Sequence, residues 1–590
     1  MKKTLNPMSH RLFHGLVGLV VFALSGCMQP LTPVVSDLLT TNPAEEGTLP
    51  AVQISVDYET DTVSELGLCN STTRWLWEAS GSFDVTTPLF RWRLNNGSWQ
   101  TTHATEYAQD NLPFGRHTFE LQVRNARGQW FPLGSQSVDI AAARYRGNGH
   151  THGMPPFDGS AYAPGDIVTL AEAPVDFARG NTVFQGWVIG SVGDEPIQPG
   201  ATISFPEDVC SIDLIAQWGL EGSGTPDDPY IVSSPEGLRL LSEREDMWAD
   251  GTHIQLTEDI DLTEFTNWEP IGSTSDPFSG TFDGQGYRIE GVNITTSSGD
   301  DELGLFGHTD NATIRDLHVH GTINASSSNF VGLLVGQASE TTIERVSASG
   351  SVRGNQIIGG LVGQTEGGHL VQTHADVDVT SNGPSGGFSD LGGLIGDAQD
   401  GTRLLHTSAT GTVTASGRNA GGLVGWFGGS EVTIRQSWAS GNVTISGPQG
   451  GAGGLVGAGR RIRIIDSYAT GDVSTGTSTN GRRVGGLVGS SNTSGTIKRS
   501  WSRGKITEDD EGGFLGGLIG GTSGGTVTAS FWDKDNSGMS ESAGGGGVTS
   551  DAMKDQDTFT SWDFTNTWEL TNNQFPTLRE NPPRSPQSGP

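Results

Sequence analysis

The sequence has few positive charges, few cysteines and no long apolar run near its start. Its 34 Lys and Arg residues face 67 Asp and Glu residues, which gives a formal net charge of −33. This excess of acid makes nucleic acid a poor general partner, because the phosphates would be repelled. The first apolar run covers only residues 16–24, and a membrane-spanning helix needs about 18 residues.

Glycine is abundant instead, with 87 residues among 590, about twice the usual share. Such a content excludes a mostly helical protein, because each Gly inside a helix costs about 1 kcal/mol relative to Ala. The absence of a strict Gly-X-Y period excludes a collagen-like chain. The 15 Trp and 23 Phe residues supply apolar surface for a core and argue against global disorder.

Residues 1–26 have the order of a secretory signal peptide, with a basic start, a short apolar core and small residues at the end. The end, Leu24-Ser25-Gly26-Cys27, resembles the lipobox of bacterial lipoproteins. The resemblance implies that Cys27 carries a lipid and anchors the chain to a membrane. Met28 after it favours the outer membrane and a cell-surface location. An ordinary signal peptide followed by a chance cysteine is the alternative.

Residues 27–50 contain four prolines and few large apolar side chains, which predicts a flexible tether. Beyond the tether, Cys69 and Cys210 would lie in an oxidising compartment. They fall in different predicted modules, so a disulfide between them and two separate buried thiols both stay open.

Two small β modules are predicted after the tether. Residues 51–140 alternate apolar and polar side chains in short runs between turns, which predicts an antiparallel sandwich that resembles immunoglobulin-like modules of bacterial surface proteins. Residues 144–219 resemble the Listeria–Bacteroides repeat, a small β-grasp-like module. This resemblance is carried by Tyr145-Arg146-Gly147-Asn148-Gly149, Tyr162-Ala163-Pro164-Gly165-Asp166, Phe184-Gln185-Gly186-Trp187, Pro199-Gly200-Ala201-Thr202 and Leu214-Ile215-Ala216-Gln217-Trp218. Modules of this kind serve as stalks or binding spacers.

A short block such as Gly453-Gly454-Leu455-Val456-Gly457 recurs eight times between residues 303 and 520, at intervals of 27 to 33 residues. Each unit offers about three short strands and too few apolar side chains for a core of its own. It must therefore bury its apolar face against the next copy, as in a solenoid. Propeller blades need four strands, so the period predicts an all-β protein built on a parallel β-helix of about eight coils.

The array resembles the GLUG-motif repeats of bacterial surface proteins, including those carried by some immunoglobulin A proteases. The resemblance covers residues 220–580: an entry and N-terminal cap over 220–300, repeats over 301–525 and a C-terminal cap over 526–580. Helical spacing within residues 235–248 indicates a capping helix, and residues 581–590 are predicted to be a disordered tail. No His-Glu-x-x-His motif is present, which removes metalloprotease activity from this interpretation.

The candidates for metal binding are weak. His318 and His320 would share one face of a strand, but no third ligand is evident and surface imidazoles are favoured. Asp533, Asp535 and Ser537 imitate the start of an EF-hand calcium loop, whose last ligand would fall on Gly544 rather than Glu. No cofactor is expected apart from calcium at this loop, where a simple turn is favoured.

The strongest candidate for a binding site is a basic window with aligned aromatic rings. Residues 431–507 carry ten basic and three acidic side chains. Alignment of the repeats puts Trp438, Tyr468 and Trp501 at one position of successive coils, where they would form a ladder. Facing outward, this ladder would bind an acidic polysaccharide by ring stacking and by Arg and Lys contacts. Facing inward, it would be core packing, which is the commoner role of such rings.

Strand alternation does not decide between these two orientations, because a bend within residues 434–441 would change which side chains face outward. The candidate binding residues are Arg435, Trp438, Arg461, Arg463, Tyr468, Arg483, Lys498 and Trp501. The sequence as a whole predicts a non-catalytic surface lipoprotein that adheres to or binds a glycan or a surface protein through residues 431–531. A polysaccharide lyase or glycosidase is the first alternative, and a passive structural surface protein is the second.

Overall fold

The structure is a computed structural model, and it describes residues 51–63, 69–80, 88–110, 112, 115–124, 128–140, 142–190, 195–206, 209, 211–299, 301–381, 389–429, 432–447, 449–476, 481–492, 495–508, 513–522 and 524–579. The signal peptide, Cys27, the tether and the tail lie outside the described residues, as do Cys210 and the side chain of Cys69. The lipid anchor and the disulfide therefore stay predictions. The described chain is almost entirely β-structure, and small β modules precede a parallel β-solenoid, which confirms the predicted fold class.

The first module consists of two sheets, as expected for a sandwich. Its buried core is aromatic: Trp75 and Phe119 stack with ring centroids 5.2 Å apart, and Trp77 packs against both Phe90 and Phe119. One sheet contains Ala51–Val63, Cys69–Ser80 and Glu106–Asp110, and the other contains Phe90–Leu94, Gln100–Thr102, Gly115–Arg124 and Trp130–Ile140.

The second module shares one continuous apolar core with the solenoid. Arg244 of the solenoid entry donates to the carbonyl oxygen of Trp218 over 2.9 Å, and Arg179 pairs with Glu243 at 2.8 Å. The module contains the strands Ala143–Arg146, Ile167–Thr169, Val183–Ile189, Thr202–Ser204 and Ile212–Gly219.

A short helix closes the entry of the solenoid, as the sequence predicts. It spans Pro235–Glu243 and is followed by a 3-10 turn, Glu245–Met247. The side chain of Ser234 caps the first turn of the helix by accepting a hydrogen bond from the N–H of Gly237. Pro235 then begins the helix, at a position where proline is favoured. Leu238 and Leu241 are fully buried against the core. No helix among the described residues is long and apolar enough to cross a membrane.

The solenoid is built from three parallel sheets. Sheet A has 24 strands: Tyr230–Val232, His253–Leu256, Ile260–Asp261, Thr281–Asp283, Arg288–Thr296, Thr313–Ala325, Thr342–Gly354, His369–Val371, His374–Ser381, Arg403–Leu405, Ser408–Ala409, Val413–Ala415, Thr433–Arg435, Trp438–Ala439, Val443–Ile445, Arg463–Ile465, Tyr468–Ala469, Val473–Thr475, Thr496–Lys498, Trp501–Ser502, Ile506–Glu508, Thr526–Thr528, Phe531–Asp533 and Gly546–Val548.

Sheets B and C have eight strands each, one from every repeat of the glycine-rich block. Sheet B contains Glu302–Leu303, Phe330–Gly332, Ile357–Gly359, Asp390–Gly392, Asn419–Gly421, Gly451–Gly453, Arg483–Gly485 and Phe514–Gly516. Sheet C contains Phe306–Asp310, Val335–Ser339, Val362–Glu366, Ile395–Gln399, Val424–Phe427, Val456–Arg460, Val488–Asn492 and Ile519–Thr522. The aliphatic residues of the block, such as Leu455 and Val456, are fully buried between the sheets.

The last part of the chain folds back onto sheet A instead of adding coils. A single helical turn, Lys534–Ser537, and the last strand of sheet A, Gly546–Val548, come before it, and it continues through the 3-10 turns Ala552–Lys554 and Gln556–Phe559. The strands Trp568–Glu569 and Thr577–Leu578 then form a separate two-stranded sheet. We call residues 549–579 the C-terminal strap.

Each aromatic position of sheet A is preceded by a residue with left-handed backbone and then by a buried serine, and this corner accounts for the constant spacing of the repeats there. Gln436 has φ 50°, so the strand bends there, as the sequence left open. The hydroxyl of Ser437 donates to the carbonyl oxygen of Arg435, and the oxygen of Ser467 accepts from the N–H of Ser437 at 3.2 Å. Ser500 extends the same ladder to the next coil. The backbone groups freed by the bend are thereby satisfied without water.

Candidate functional site

One line of outward side chains runs the length of sheet A. Parallel register brings these residues of successive coils side by side, and we call them the outer column: Arg288, His318, Ser347, His374, Ser408, Trp438, Tyr468, Trp501 and Phe531. Its first half is polar and its second half is aromatic. The two halves meet where the rings of His374 and Trp438 lie 6.4 Å apart.

The aromatic half forms the predicted ladder. The rings of Trp438 and Tyr468 stack at 5.9 Å with an angle of 6°, and those of Tyr468 and Trp501 stack at 5.1 Å with an angle of 9°. The ladder faces away from the main core, because the adjacent Ala439 points into that core while the rings belong to a second cluster.

The C-terminal strap covers this ladder, so its rings face outward from the solenoid and are nevertheless buried, in a second small core. Tyr468 is 6% exposed and Trp501 is 1% exposed. The strap contributes Met553, Phe559, Trp562, Trp568 and Leu578 to the same small core. Tyr468 and Trp501 therefore offer no stacking face to a sugar in this conformation, and only Trp438 and Phe531 are partly exposed.

The basic candidates do not form one surface with the ladder. Arg435, Arg463 and Lys498 are exposed on the strands that precede the left-handed corner. Arg461 is also exposed. Arg483 lies on sheet B, with its guanidinium 5.8 Å from the ring of Phe514. The predicted contact surface is thus divided between sheets A and B. The repeat brings equivalent residues of successive coils together within one sheet, but it does not bring residues of different sheets together.

The calcium candidate is a helix cap. Asp533 is fully buried, and its Oδ1 accepts from the N–H groups of Asp535 and Asn536. Both carboxylate oxygens also accept from the hydroxyl of Ser550 at 2.7 Å. With its oxygens turned toward donors, Asp533 stabilises the turn at Lys534–Ser537 and is not arranged as a cation ligand.

The polar half of the outer column lines a concave site of about 370 Å³, which we call the histidine groove. No residue that the structure describes covers it, and His320 and Asp376 are exposed on its rim. At neutral pH its formal charges are one guanidinium and two carboxylates. The lining side chains are Arg288, Glu290, His318, His320, Ser347, Ser349, His374 and Asp376.

Two serines and two histidines form a chain of hydrogen bonds along the groove. Nδ1 of His318 lies 2.9 Å from the hydroxyl of Ser347, and Nε2 of the same ring lies 3.2 Å from the hydroxyl of Ser349. That second hydroxyl is also 3.0 Å from Nδ1 of His320. His318 is 9% exposed, so the expectation that both histidines are surface imidazoles is wrong for His318.

Burial lowers the pKa of His318 from 6.5 to about 4, and the charges of Arg288, His320 and His374 act in the same direction. Burial also lowers the pKa of His374. These histidines are therefore neutral at pH 7, and each ring can donate one hydrogen bond and accept another. Neutral imidazoles beside serine hydroxyls suit hydrogen bonding to an uncharged polar ligand.

The geometry is not that of a nucleophilic triad. A catalytic histidine would place one nitrogen on the nucleophile and the other on an orienting carboxylate. Both nitrogens of His318 contact serine hydroxyls instead, and a base with a pKa of about 4 is too weak to activate a hydroxyl at neutral pH. Among the described residues, no three His, Cys, Asp or Glu side chains converge as a metal site.

We expect the contribution of His318 to the free energy of unfolding to fall as the pH drops from 6.5 to 4. The unfolded chain takes up a proton on His318 near its ordinary pKa of 6.5, whereas the folded chain resists protonation until about pH 4. The full loss is at most about 3 kcal/mol. Urea unfolding at several pH values measures it.

The variant His318→Gln removes this titrating group, so between pH 6.5 and 4 the free energy of unfolding should fall less, or rise more, than in the wild-type protein. His369→Gln, at an exposed histidine outside the groove, is the matched control and should keep the wild-type slope. Equal slopes in wild type and His318→Gln would show that the buried ring does not cause the acid sensitivity.

Sequence reasoning found His318 and His320 and their common face, but it missed the rest of the groove. The available signal was the alignment that identified the ladder. His318 and Ser347 each precede a glycine of their repeat by three residues, as Trp438 does. Extending that alignment toward the N-terminus would have placed the histidines and the tryptophan in one column.

No protein-family model matches this chain. Two curated relatives are each 34% identical to it. Halomucin of Haloquadratum walsbyi aligns over 359 residues, which are 50% of this chain and 4% of that protein. A protein of Evansella cellulosilytica named as a Gly-rich membrane protein aligns over 398 residues, which are 60% of this chain and 45% of that protein. The chain thus spans less than half the length of either relative.

Among solved structures, an IgA1 protease matches over 75% of this chain and 28% of its own, with 14% identity and a TM-score of 0.30. A similarity this low carries no argument about function. The solenoid fold and the named relatives support a surface or membrane-protein context for this chain.

Proposed function

We propose that this protein is a non-catalytic, lipid-anchored surface protein that binds a neutral glycan along the histidine groove. The observation that carries the proposal is the line of hydroxyl and imidazole groups that successive coils contribute at one register, which none of the described residues covers. Coils repeat about every 4.8 Å, which is close to the length of one sugar unit. An extended glycan could therefore repeat its contacts from coil to coil.

The electrostatics of the groove favour a neutral glycan over an acidic one. Arg288 is the cation of the groove and lies 3.9 Å from Glu290, and Asp376 adds a second carboxylate on the rim. Trp438 is partly exposed at the end of the groove next to His374, where it offers a face for one sugar ring. The acidic polysaccharide predicted from the basic window would depend instead on exposed basic side chains such as Arg435, Arg461, Arg463 and Lys498.

The anchoring part of the proposal is supported by the lipobox resemblance around Cys27 and by a relative named as a membrane protein. The resemblance to GLUG-repeat surface proteins supports the same location. Outer-membrane sorting, implied by Met28, is part of the proposal. Adhesion would follow if the glycan belongs to another cell or to a matrix.

A glycan-array scan with the protein prepared without its lipid anchor tests the proposed binding. We expect saturable binding to neutral glycans that changes little with added salt, since hydrogen bonds rather than ion pairs would carry it. The double variant His320→Ala with Asp376→Asn should lose most of this binding. The control His369→Ala, an exposed histidine outside the groove, should bind like wild type.

Three results would each contradict the proposal. Salt-sensitive binding to acidic glycans that survives the double variant would favour the basic window. New reducing ends or unsaturated products would favour a polysaccharide-active enzyme. A blank array would favour a protein partner or a passive structural role.

A further inference from the structure

Sheets B and C meet at a crease where side chains from neighbouring strands face each other. In the first coil the crease contains Glu302 and His308, whose carboxylate Oε1 and ring Nδ1 are 3.2 Å apart. The parallel register carries these two positions to Asp390 and Asp397 three coils later. Asp390 and Asp397 therefore occupy the two crease positions that Glu302 and His308 occupy in the first coil.

The surroundings of the two carboxylates satisfy only part of their hydrogen-bonding capacity. Asn419 donates to Oδ1 of Asp390 over 2.6 Å. Gln364 and Gln399 both donate to Oδ2 of Asp397, over 3.2 and 2.7 Å. Among the described residues, Oδ1 of Asp397 has no hydrogen-bond partner, although Asp397 is only 4% exposed. A buried carboxylate oxygen without a donor is costly, and it signals a missing partner.

We propose that Asp390 and Asp397 bind a hard divalent cation, such as Ca²⁺, through the Asp390 carboxylate and Oδ1 of Asp397. Oxygen ligands are what Ca²⁺ prefers. Asp390 is partly exposed, so water can reach the site and complete the coordination shell. The cation would sit between sheets B and C in the middle of the solenoid and would hold the crease together.

Burial also acts on the charge state of the two carboxylates. Burial raises the pKa of Asp390 to about 7, with the Asp397 charge adding to the effect, and burial raises the pKa of Asp397 to about 6. Both carboxylates are therefore disfavoured as anions without a counter-charge. The Arg418 charge acts on Asp390 in the opposite direction, but as a lesser effect.

Trp426 provides a direct probe, because it is the register partner of Asp397 on the next coil. A Tb³⁺ ion bound at the site should emit when tryptophan is excited, and Ca²⁺ should compete it away. In parallel, CaCl₂ should raise the Tm of the wild-type protein above its value in chelator. Asp397→Asn should lose most of the Tb³⁺ emission and most of the Tm rise.

Two further variants separate the site from general effects. Trp426→Phe should lose the sensitised emission but keep the Tm rise with CaCl₂. Asp378→Asn is the matched control: this exposed carboxylate bonds Thr412, and its loss should change neither signal. Should Asp397→Asn fail to fold, the wild-type comparison of CaCl₂ with chelator still decides.

Two outcomes would overturn the proposal. The first is a wild-type Tm that is equal in CaCl₂ and in chelator. The second is Tb³⁺ emission that persists in Asp397→Asn. If the Tm is insensitive to CaCl₂ but rises on acidification toward pH 6, the two carboxylates share a proton instead of a metal ion.

Discussion

Replacing Trp568 with Ala should detach the C-terminal strap from the aromatic ladder at a cost of about 3–5 kcal/mol in local stability. Trp568 is fully buried, lies 4.3 Å from the ring of Trp562 and packs against Tyr468. Its Nε1 also donates to Oδ1 of Asp466 over 3.3 Å. The truncation therefore leaves both a large cavity and a buried carboxylate oxygen with one donor fewer.

The main core should survive this substitution, because the ladder cluster is separate from the cluster that fills the solenoid. We expect a new low-denaturant transition in tryptophan fluorescence and early proteolysis within residues 549–579, with the main transition unchanged. Phe514→Ala, at a ring that is 57% exposed, is the control and should shift stability by no more than about 0.5 kcal/mol. If Trp568→Ala matched wild type in both assays, the strap would not be held by this contact.

Substituting Gly454 with Ala should disrupt the stacking of two coils and destabilise the solenoid by about 3 kcal/mol or more. A Cβ at this position would lie 2.2 Å from the carbonyl oxygen of Gly486 on the next coil. The obstacle is backbone, and the neighbouring N–H of Leu455 is bonded to Leu487 across the same two coils at 2.9 Å. The coils cannot move apart without breaking these bonds.

Gly476→Ala is the matched control for this substitution. The nearest atom to a Cβ there is Cβ of Ser446 at 3.5 Å, an ordinary contact. We expect this variant to be neutral or stabilised by roughly 0.4–1 kcal/mol, since Ala reduces the freedom of the unfolded chain. Chemical unfolding of both variants checks the contrast. Equal stability of Gly454→Ala and Gly476→Ala would show that close coil contact does not explain the paired glycines.

The solenoid could be predicted from sequence because its physical cause is periodic. A block that repeats at nearly constant spacing must place Leu455 and its equivalents at the same depth in each coil, and only the small Gly454 permits the coils to approach. The capping helix was also predictable, since the leucine spacing at Leu238 and Leu241 is a local pattern. These features depend on neighbours in sequence or on the repeat itself.

The strap was not predictable in the same way. Its contact between Trp568 and Asp466 joins residues 102 apart in sequence, and no repeat relates the two. The ladder was therefore identified correctly as a row of rings, but its covering was missed. The histidine groove was predictable only in part. His318 could be found from local strand alternation, whereas its hydrogen bonds to Ser347 and Ser349 depend on the register between coils.

Histidine footprinting with a bound glycan tests the central claim most directly. The protein is treated with a histidine-modifying reagent, with and without the neutral glycan that binds it best, and modification is read residue by residue by mass spectrometry. We predict that the glycan protects His320 in the groove and leaves the exposed His369 unchanged. Equal modification of His320 with and without bound glycan would place the binding site elsewhere and contradict the account.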